Sequence, residues 1–495
     1  MIYATAGHVD HGKTSLIRCL TSIETDRLPE EKARGLSIEL GFAYADLGDG
    51  GKAGFVDVPG HERFIRTMVS GVGSIDAVLF VVALDDGPMP QTLEHMQILE
   101  LMGVRQGFIV YTKLDRVTKT RLNEVRQAVE EIVSSSFLAG SREFFVSSKT
   151  GEGIDTLKKF LADNNKNLSR HFTEGLFRLA VDRSFTLKGV GKVVTGSIFS
   201  GKVEVEQFVR HLPSGMRLRV RKLHAQGEES GSACFGQRCA VNVSGHELGR
   251  IEIRRGDWLV SEFHDGTSER LHVKVSPLKG MVIKDGTPVH FHLGALDTIG
   301  RIYMCDKESI AQERAAFIVL NNGIHSVKGD RFVLRDQAAE KTIGGGIVCD
   351  PFPAKNLARK ERSNLIKLMR STDPGEVLKN LLCEGPIGID SSRFRRACNL
   401  TESGLRDVLK STDAIQIKAE SMSFLVASPR WERTAEQLLE LVESLHQKKP
   451  NSPGVTFEKI YESQKKRIFN ALKDSRPDSV IRFKEVLNKI IDEKK

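Results

Sequence analysis

Eight residues near the start constrain the fold more than anything else: Gly7-His8-Val9-Asp10-His11-Gly12-Lys13-Thr14. Two glycines separated by four residues and followed by Lys and Thr fit the phosphate-binding loop pattern. The apolar Ile2-Tyr3-Ala4 precedes it, so the loop leaves a strand and opens a helix. Its backbone amides then converge on a polyphosphate at the helix N-terminus. Lys13 is placed to reach the β- and γ-phosphates, and the Thr14 hydroxyl to hold Mg²⁺.

Four further motifs follow in the order such a loop demands. Asp57-Val58-Pro59-Gly60-His61 closes the apolar run Phe55-Val56, read as a second strand. A carboxylate there binds Mg²⁺ through water, the Gly60 amide senses the γ-phosphate, and His61 is placed to orient an attacking water. Thr112-Lys113-Leu114-Asp115 follows Phe108-Ile109-Val110-Tyr111. The Asp115 carboxylate can accept two hydrogen bonds from a guanine edge. Adenine has no matching donor pair, so GTP is favoured over ATP. Ser147-Ser148-Lys149 follows Glu143-Phe144-Phe145-Val146 and is suited to meet the guanine oxygen with backbone amides. Ser37, in Arg34-Gly35-Leu36-Ser37-Ile38, completes the Mg²⁺ shell only when the γ-phosphate is present, which makes its loop a switch. Each piece alone is commonplace: Asp-X-X-Gly is usually a turn, and Lys-X-Asp a solvated loop. Their order along strand-helix alternation excludes a non-nucleotide reading.

At 495 residues the chain exceeds one core, and roughly three or four domains are expected. The formal charge of +9 is unevenly placed. Residues 446–495 carry 13 Lys/Arg against 7 Asp/Glu. Lys355, Arg359, Lys360, Arg362, Lys367 and Arg370 stand against Glu361 alone. Such clusters favour polyanions, nucleic acid first; the competing reading is a solvated face. Seven cysteines without C-x-x-C spacing point away from zinc and disulfides and toward reduced thiols. The most apolar run, Ala77 to Leu84, is far too short to cross a bilayer, and the phosphate-loop strand begins at residue 2. A cytoplasmic protein without membrane contact is expected.

Residues 1–170 alternate strand and helix, which implies a mainly parallel sheet covered on both faces. The polar Asn164-Asn165-Lys166-Asn167 reads as a linker. From residue 171 the pattern becomes short alternating runs with frequent Gly, as in Phe177 to Val181, Lys192 to Thr195 and Leu218 to Leu223. Two antiparallel β-barrels are expected, 171–265 and 266–352, parted near His264-Asp265-Gly266. Residues 353–495 turn helical. Helices opening at Ser391 and after Thr401, then Ile415-Gln416-Ile417 and Phe424-Leu425-Val426, follow a winged-helix pattern. A small α+β packing module fits the same residues.

Together these motifs resemble the translational GTPases of the elongation factor Tu superfamily. More narrowly they resemble the bacterial selenocysteine-specific elongation factors (SelB). Three stretches carry that closer likeness: Asp26 to Gly35, Val181-Asp182-Arg183 through Gly196, and Gly236-Gln237-Arg238. Thr112 in place of the usual Asn also suits this group. The resemblance covers residues 1–350.

That resemblance implies that GTP, selenocysteinyl-tRNA and the ribosome bind in succession, with hydrolysis triggered on the ribosome and His61 near the attacking water. Val9 and Leu36 match an apolar gate beside that histidine. Asp10 matches a loop acid that helps hold a monovalent cation. Asp182, Arg183 and Arg238 match the aminoacyl pocket. Selenocysteine is a selenolate at neutral pH and its precursor serine is neutral, so fixed positive charge separates the two. A desolvated charge-assisted contact contributes roughly 1.5–3 kcal/mol.

Departures qualify the picture. Ser37 replaces the usual Thr of the switch. Long bacterial relatives carry four winged helices, the last gripping an mRNA hairpin. Residues 353–495 suffice for one such module and part of another, so the hairpin-gripping region is either missing, much reduced, or replaced by the basic tail after residue 446, and any mRNA hairpin falls to the C-terminal region. A monomer is expected. Two alternatives remain open: a GTP-regulated ribosome- or RNA-binding factor without aminoacyl-tRNA, and a general elongation or initiation factor.

Overall fold

Strands that are apolar on both faces need cover on both faces, and the first 167 residues supply it. The computed structural model describes residues 1–448 except 27–28, 35–36, 49–50, 62–63, 74, 168–174, 247, 306–313, 355–356, 386–387 and 420–421. Six strands form the first sheet: β1 (Ile2–Ala6), β2 (Gly41–Asp46), β3 (Lys52–Asp57), β4 (Ala77–Ala83), β5 (Gly107–Thr112) and β6 (Glu143–Phe145). Their order is β2-β3-β1-β4-β5-β6, with every pair parallel except β2 with β3. Asp57 therefore ends the third strand, not the second. The missed strand, β2, is half-buried and lies at the edge.

Six helices flank the sheet: α1 (Lys13–Thr21), α2 (Pro29–Arg34), α3 (Ile65–Val72), α4 (Pro90–Leu101), α5 (Lys119–Val133) and α6 (Ile154–Asn167). Alternate residues of β4 feed opposite cores. Val78, Phe80 and Val82 pack with Met68, Ile98 and Val129 on one face; Leu79 and Val81 pack with Leu16 and Leu157 on the other. The polar Asn164 to Asn167 stretch is the end of α6 rather than a linker. Asn165 accepts a hydrogen bond from the Met1 ammonium at 2.6 Å, and Asn164 donates to the Tyr3 hydroxyl at 3.3 Å. Side-chain amides that look solvated in sequence are tied back onto β1.

Two closed six-strand barrels follow. The first runs Phe208–Leu212, Trp258–Ser261, β7 (Arg178–Leu187), β8 (Gly191–Ser200), Arg238–Ser244 and Arg217–Ala225, which pairs back to the start. The second is Ser268–Pro277, Arg314–Ile324, Leu296–Met304, Thr287–Leu293, Arg331–Arg335 and Thr342–Asp350. Closure removes exposed sheet edges, and each barrel holds its own apolar core.

Beyond Asp350 lie α7 (Arg359–Leu368), α8 (Pro374–Glu384), α9 (Ser391–Ala397) and α10 (Glu402–Ser411). Strands Ala414–Ala419 and Met422–Ala427 join Ile389–Asp390 in a three-stranded antiparallel sheet, and α11 (Ser428–Lys448) follows. The side chains of Asp373, Asp390 and Thr401 cap the N-termini of α8, α9 and α10, as such residues do. Val377, Leu381, Phe394 and Leu425 share a core with Cys305 and Cys349 of the second barrel. Part of the basic cluster read from 355–370 is engaged within the fold. Arg359 pairs with Asp285 at 2.7 Å, and Arg362 lies over the Phe317 ring at 4.0 Å. The basic tail beyond Lys448 lies outside the described residues.

The connector near residue 265 is a built junction. His264 meets Asn399 at 2.9 Å, Asp265 pairs with Arg396, and Asn399 also donates to Ser200 at 2.9 Å.

Candidate functional site

The carboxyl ends of β1, β3, β5 and β6 lie along one sheet edge, the position where ligands bind in such sheets. There the phosphate loop borders an open cleft of about 740 Å³ lined by Val9, Asp10, Gly12, Lys13, Thr14, Ser37, Gly60 and Lys113, among others. Gly7 adopts φ +146°, and a Cβ on it would lie 2.2 Å from the Val81 carbonyl oxygen, so only glycine fits. Lys13 is buried, and its ammonium donates to the carbonyls of Gly7 (3.1 Å) and His8 (2.7 Å). Burial pushes it down to about 8; a phosphate placed beside it would raise it again. A Cβ on Gly60 would stand 2.4 Å from the Lys13 Nζ. The Gly60 backbone thus lies directly against the Gly7–Thr14 loop.

His8 and His11 enter the site differently from the reading of the loop as a uniform cradle. Their rings meet edge to face at 5.1 Å. The His11 ring is fully buried and points at the Val81 carbonyl at 3.4 Å. Burial lowers it to about 4, so this ring is neutral and packed inside the domain. Its carbonyl accepts a 2.7 Å bond from the Thr112 hydroxyl. Thr112, which departs from the common Asn, thereby ties the base-recognition strand to the phosphate loop.

The expected metal ligands converge. Thr14 and Ser37 hydroxyls are 3.0 Å apart, and Ser37 donates to Asp26 at 2.8 Å. Asp57 is fully buried and accepts from Thr5 at 3.0 Å and Thr25 at 2.9 Å. Burial raises its carboxyl above the usual range while these hydroxyls oppose the shift. Hydroxyl and carboxylate oxygens of this kind are the hard donors Mg²⁺ takes, so the residues fit the ion.

At the base end, Asp115 accepts a 2.6 Å bond from Ser147, the chief cause holding its carboxyl below the ordinary range. The same Ser147 hydroxyl accepts from the amides of Lys149 (3.3 Å) and Thr150 (3.1 Å). Lys113 reaches Asp85 at 2.9 Å and Asp86 at 3.0 Å. Cys19 donates to the Ser148 carbonyl at 3.5 Å. The His61 ring lies 6.0 Å from that of Phe64. Leu36 of the expected gate, like Arg27, Leu28 and Gly35 of the switch, lies outside the described residues.

In the first barrel the structure joins two of the three pocket residues. Asp182 receives two bonds from Arg238, at 2.8 and 3.0 Å, and one from Thr195. The Arg238 guanidinium lies 4.0 Å over the Phe42 ring of β2. Arg183 points elsewhere, to Glu39 at 2.6 Å, and is 42 % exposed. A β-bulge between Val181 and Arg183 re-aims the side chains here.

Sequence reasoning missed several partners. His95 on α4 is buried and lowered to about 3 by that burial; its neutral ring accepts the Gly7 amide at 3.2 Å. Thr25 holds Asp57. Glu31, 3 % exposed, accepts from the amides of Ile38 and Glu39 at 3.0 Å each. Thr25 and His95 belong to no motif, Glu31 lies in the Asp26 to Gly35 stretch without a role having been read for it, and only the fold brings the three to their partners.

Residues 1–167 match the family "Elongation factor Tu GTP binding domain", and residues 268–355 match "Selenocysteine-specific elongation factor, beta-barrel domain". The selenocysteine-specific elongation factor of Escherichia coli (strain K12) is 36 % identical over 93 % of this chain and 72 % of its own length. A crystal structure of a bacterial selenocysteine-specific elongation factor, EF-Sec, superposes with a TM-score of 0.77 at 29 % identity, covering 97 % of this chain and 80 % of that one. The elongation factor SelB of Methanococcus maripaludis, in complex with the GTP analogue GppNHp, gives 0.61 at 27 % identity, over 71 % of this chain and 79 % of that one. With its GTP-binding domain and two barrels arranged as described, the chain belongs to the family of selenocysteine-specific elongation factors.

Proposed function

We propose that this chain is a translational GTPase that delivers selenocysteinyl-tRNA to the ribosome. The observation that carries the reading is the Asp182–Arg238 pair, seated in the first barrel directly against β2 of the nucleotide domain. A guanidinium held by a carboxylate at fixed geometry offers its remaining N–H donors and residual positive potential to an anion. A selenolate fits that site, and a seryl hydroxyl does not.

The roles divide along the chain. Residues 1–170 bind GTP: Gly7 to Thr14 hold the phosphates, Thr112, Lys113 and Asp115 meet the guanine, and Ser147, Ser148 and Lys149 close over it. Thr14, Ser37 and Asp57 would hold Mg²⁺, which offsets the charge on the β- and γ-phosphates. Asp10, at the lip of the cleft, would help hold a monovalent cation. His61 orients the attacking water when the ribosome stimulates hydrolysis. The barrels, 171–265 and 266–352, carry the aminoacyl end through Asp182, Arg183 and Arg238. Residues 353–495, whose described part holds helices α7 to α11 and a small antiparallel sheet, form the RNA-facing part and are the place for an mRNA hairpin. We place the factor, as a monomer, in the cytoplasm. Among the described residues no helix is long and apolar enough to cross a membrane.

The test is ester-bond protection. In the GTP form, selenocysteinyl-tRNA should be shielded from hydrolysis at least tenfold better than seryl-tRNA. Equal shielding removes the selectivity, and absence of any ternary complex favours a GTP-regulated RNA-binding factor instead.

A further inference from the structure

One short segment touches the phosphate loop and both pocket arginines. Ser37 meets Thr14 at 3.0 Å, Glu39 pairs with Arg183 at 2.6 Å, and Phe42 lies 4.0 Å from the Arg238 guanidinium. Each arginine is held by one carboxylate, but the two carboxylates differ in origin. Asp182 belongs to the same barrel as Arg238. Glu39 belongs to the GTP-binding domain, two residues after the switch serine. Two residues of chain reach at most about 7 Å, so Glu39 cannot keep its place when Ser37 moves far. The segment is also braced from behind, since the buried Glu31 carboxylate accepts the amides of both Ile38 and Glu39.

We infer that Glu39 is the positioning residue through which the triphosphate state prepares the cargo site. With Ser37 drawn to the metal, Glu39 stands at Arg183 and fixes an otherwise long, half-exposed side chain beside the pocket. When the switch leaves, Arg183 loses its anchor, while Phe42, held in β2 opposite Val56, is not part of the loop that moves. The differential contact that such coupling requires is then a single ion pair. Arg255 strengthens the arrangement: it donates to Ser70 of α3 at 3.2 Å and shares its surroundings with Arg66, Asp182, Glu39 and Arg183. Removing the Glu39 carboxylate leaves Arg183 facing other cations. This inference rests on the aminoacyl-pocket reading above.

The experiment is a cycle of Glu39→Gln, Arg183→Met and the double variant, each bound to selenocysteinyl-tRNA in the GTP and GDP forms. Glu39→Gln should weaken the GTP complex about threefold to tenfold, in line with a partly exposed pair that also orders its partner. It should leave the weak GDP complex unchanged. The double variant should be no weaker than Arg183→Met alone. Equal loss in both nucleotide forms, strictly additive losses, or no loss in Glu39→Gln overturns the inference. If Arg183→Met itself binds normally, the pocket reading fails instead.

Discussion

Arg178 and Asp330 form a doubly hydrogen-bonded ion pair, at 3.0 and 2.6 Å, that joins the first barrel to the second across 152 residues. Both are almost wholly buried, at 2 % and 9 % side-chain exposure. Arg178 also donates to His325 at 3.0 Å and lies 4.6 Å from the Trp258 ring. Breaking one partner of such a pair strands a buried charge. Arg178→Met should therefore cost about 3–5 kcal/mol in urea unfolding. A loss under 1 kcal/mol would show that Asp330 finds another partner or protonates cheaply.

Asn399 extends this junction to the C-terminal module. It adopts φ +54° and bonds His264 and Ser200. Asn399→Ala leaves buried partners unsatisfied, at about 1–3 kcal/mol, and strains the backbone. Limited proteolysis should then cut between 350 and 400 faster than in the parent chain, with the GTP-binding domain cut at the parent rate.

In the proposed site Asp115 meets guanine by accepting two donors, so Asp115→Asn should reverse the preference. Two charge-assisted bonds at about 1.5–3 kcal/mol each put the loss of GTP affinity at a hundredfold or more. Xanthosine triphosphate, which presents an acceptor where guanine presents an amine, should bind the variant better than GTP does. Calorimetry with both nucleotides decides it, and an unchanged ranking would falsify the role of Asp115.

Acid sensitivity follows from buried neutral histidines. Burial lowers His11, His264, His272 and His292 to about 4 and His95 to about 3. Unfolded, each titrates near 6.5. Below that value the unfolded chain takes up protons that the folded chain refuses. Stability is thus full above pH 6.5 and falls as pH drops toward 4, by up to about 1.4 kcal/mol per pH unit for each histidine. Urea midpoints at pH 7 and 5.5 should differ clearly; equal midpoints would mean that these rings are hydrated and charged in the fold.

His61 lies beside the cleft, not among the groups that grip nucleotide. His61→Ala should keep GTP affinity within about twofold and cut ribosome-stimulated single-turnover hydrolysis by a hundredfold or more, the scale of a lost water-positioning group. A normal rate on ribosomes would assign that task to another residue.

The nucleotide site was legible because its residues act through short local spacings. Gly7, Lys13 and Thr14 sit within one loop, and Asp57, Asp115 and Ser147 each end a strand or follow one directly. The strand itself delivers such a residue to the sheet edge. The Thr401 cap was readable for the same reason, as it acts three residues ahead; Asp390, which caps the helix read as opening at Ser391, was not singled out. The linker at Asn164 to Asn167 was misread because polarity alone cannot say whether an amide faces water or Tyr3.

Chain order and local chemistry by themselves gave the GTP-binding domain followed by two barrels, and they are the basis for the proposed roles of the phosphate loop and of Asp115. Only the folded molecule decided that Arg238 faces Asp182 while Arg183 faces Glu39, that His95 holds the Gly7 amide, and that Asn399 ties the C-terminal module to the first barrel and the connector after it. Those contacts join residues dozens to hundreds of positions apart, and one of them turns on a bulge at Asp182. Separation along the chain carries no such information; barrel closure and packing against β2 create it.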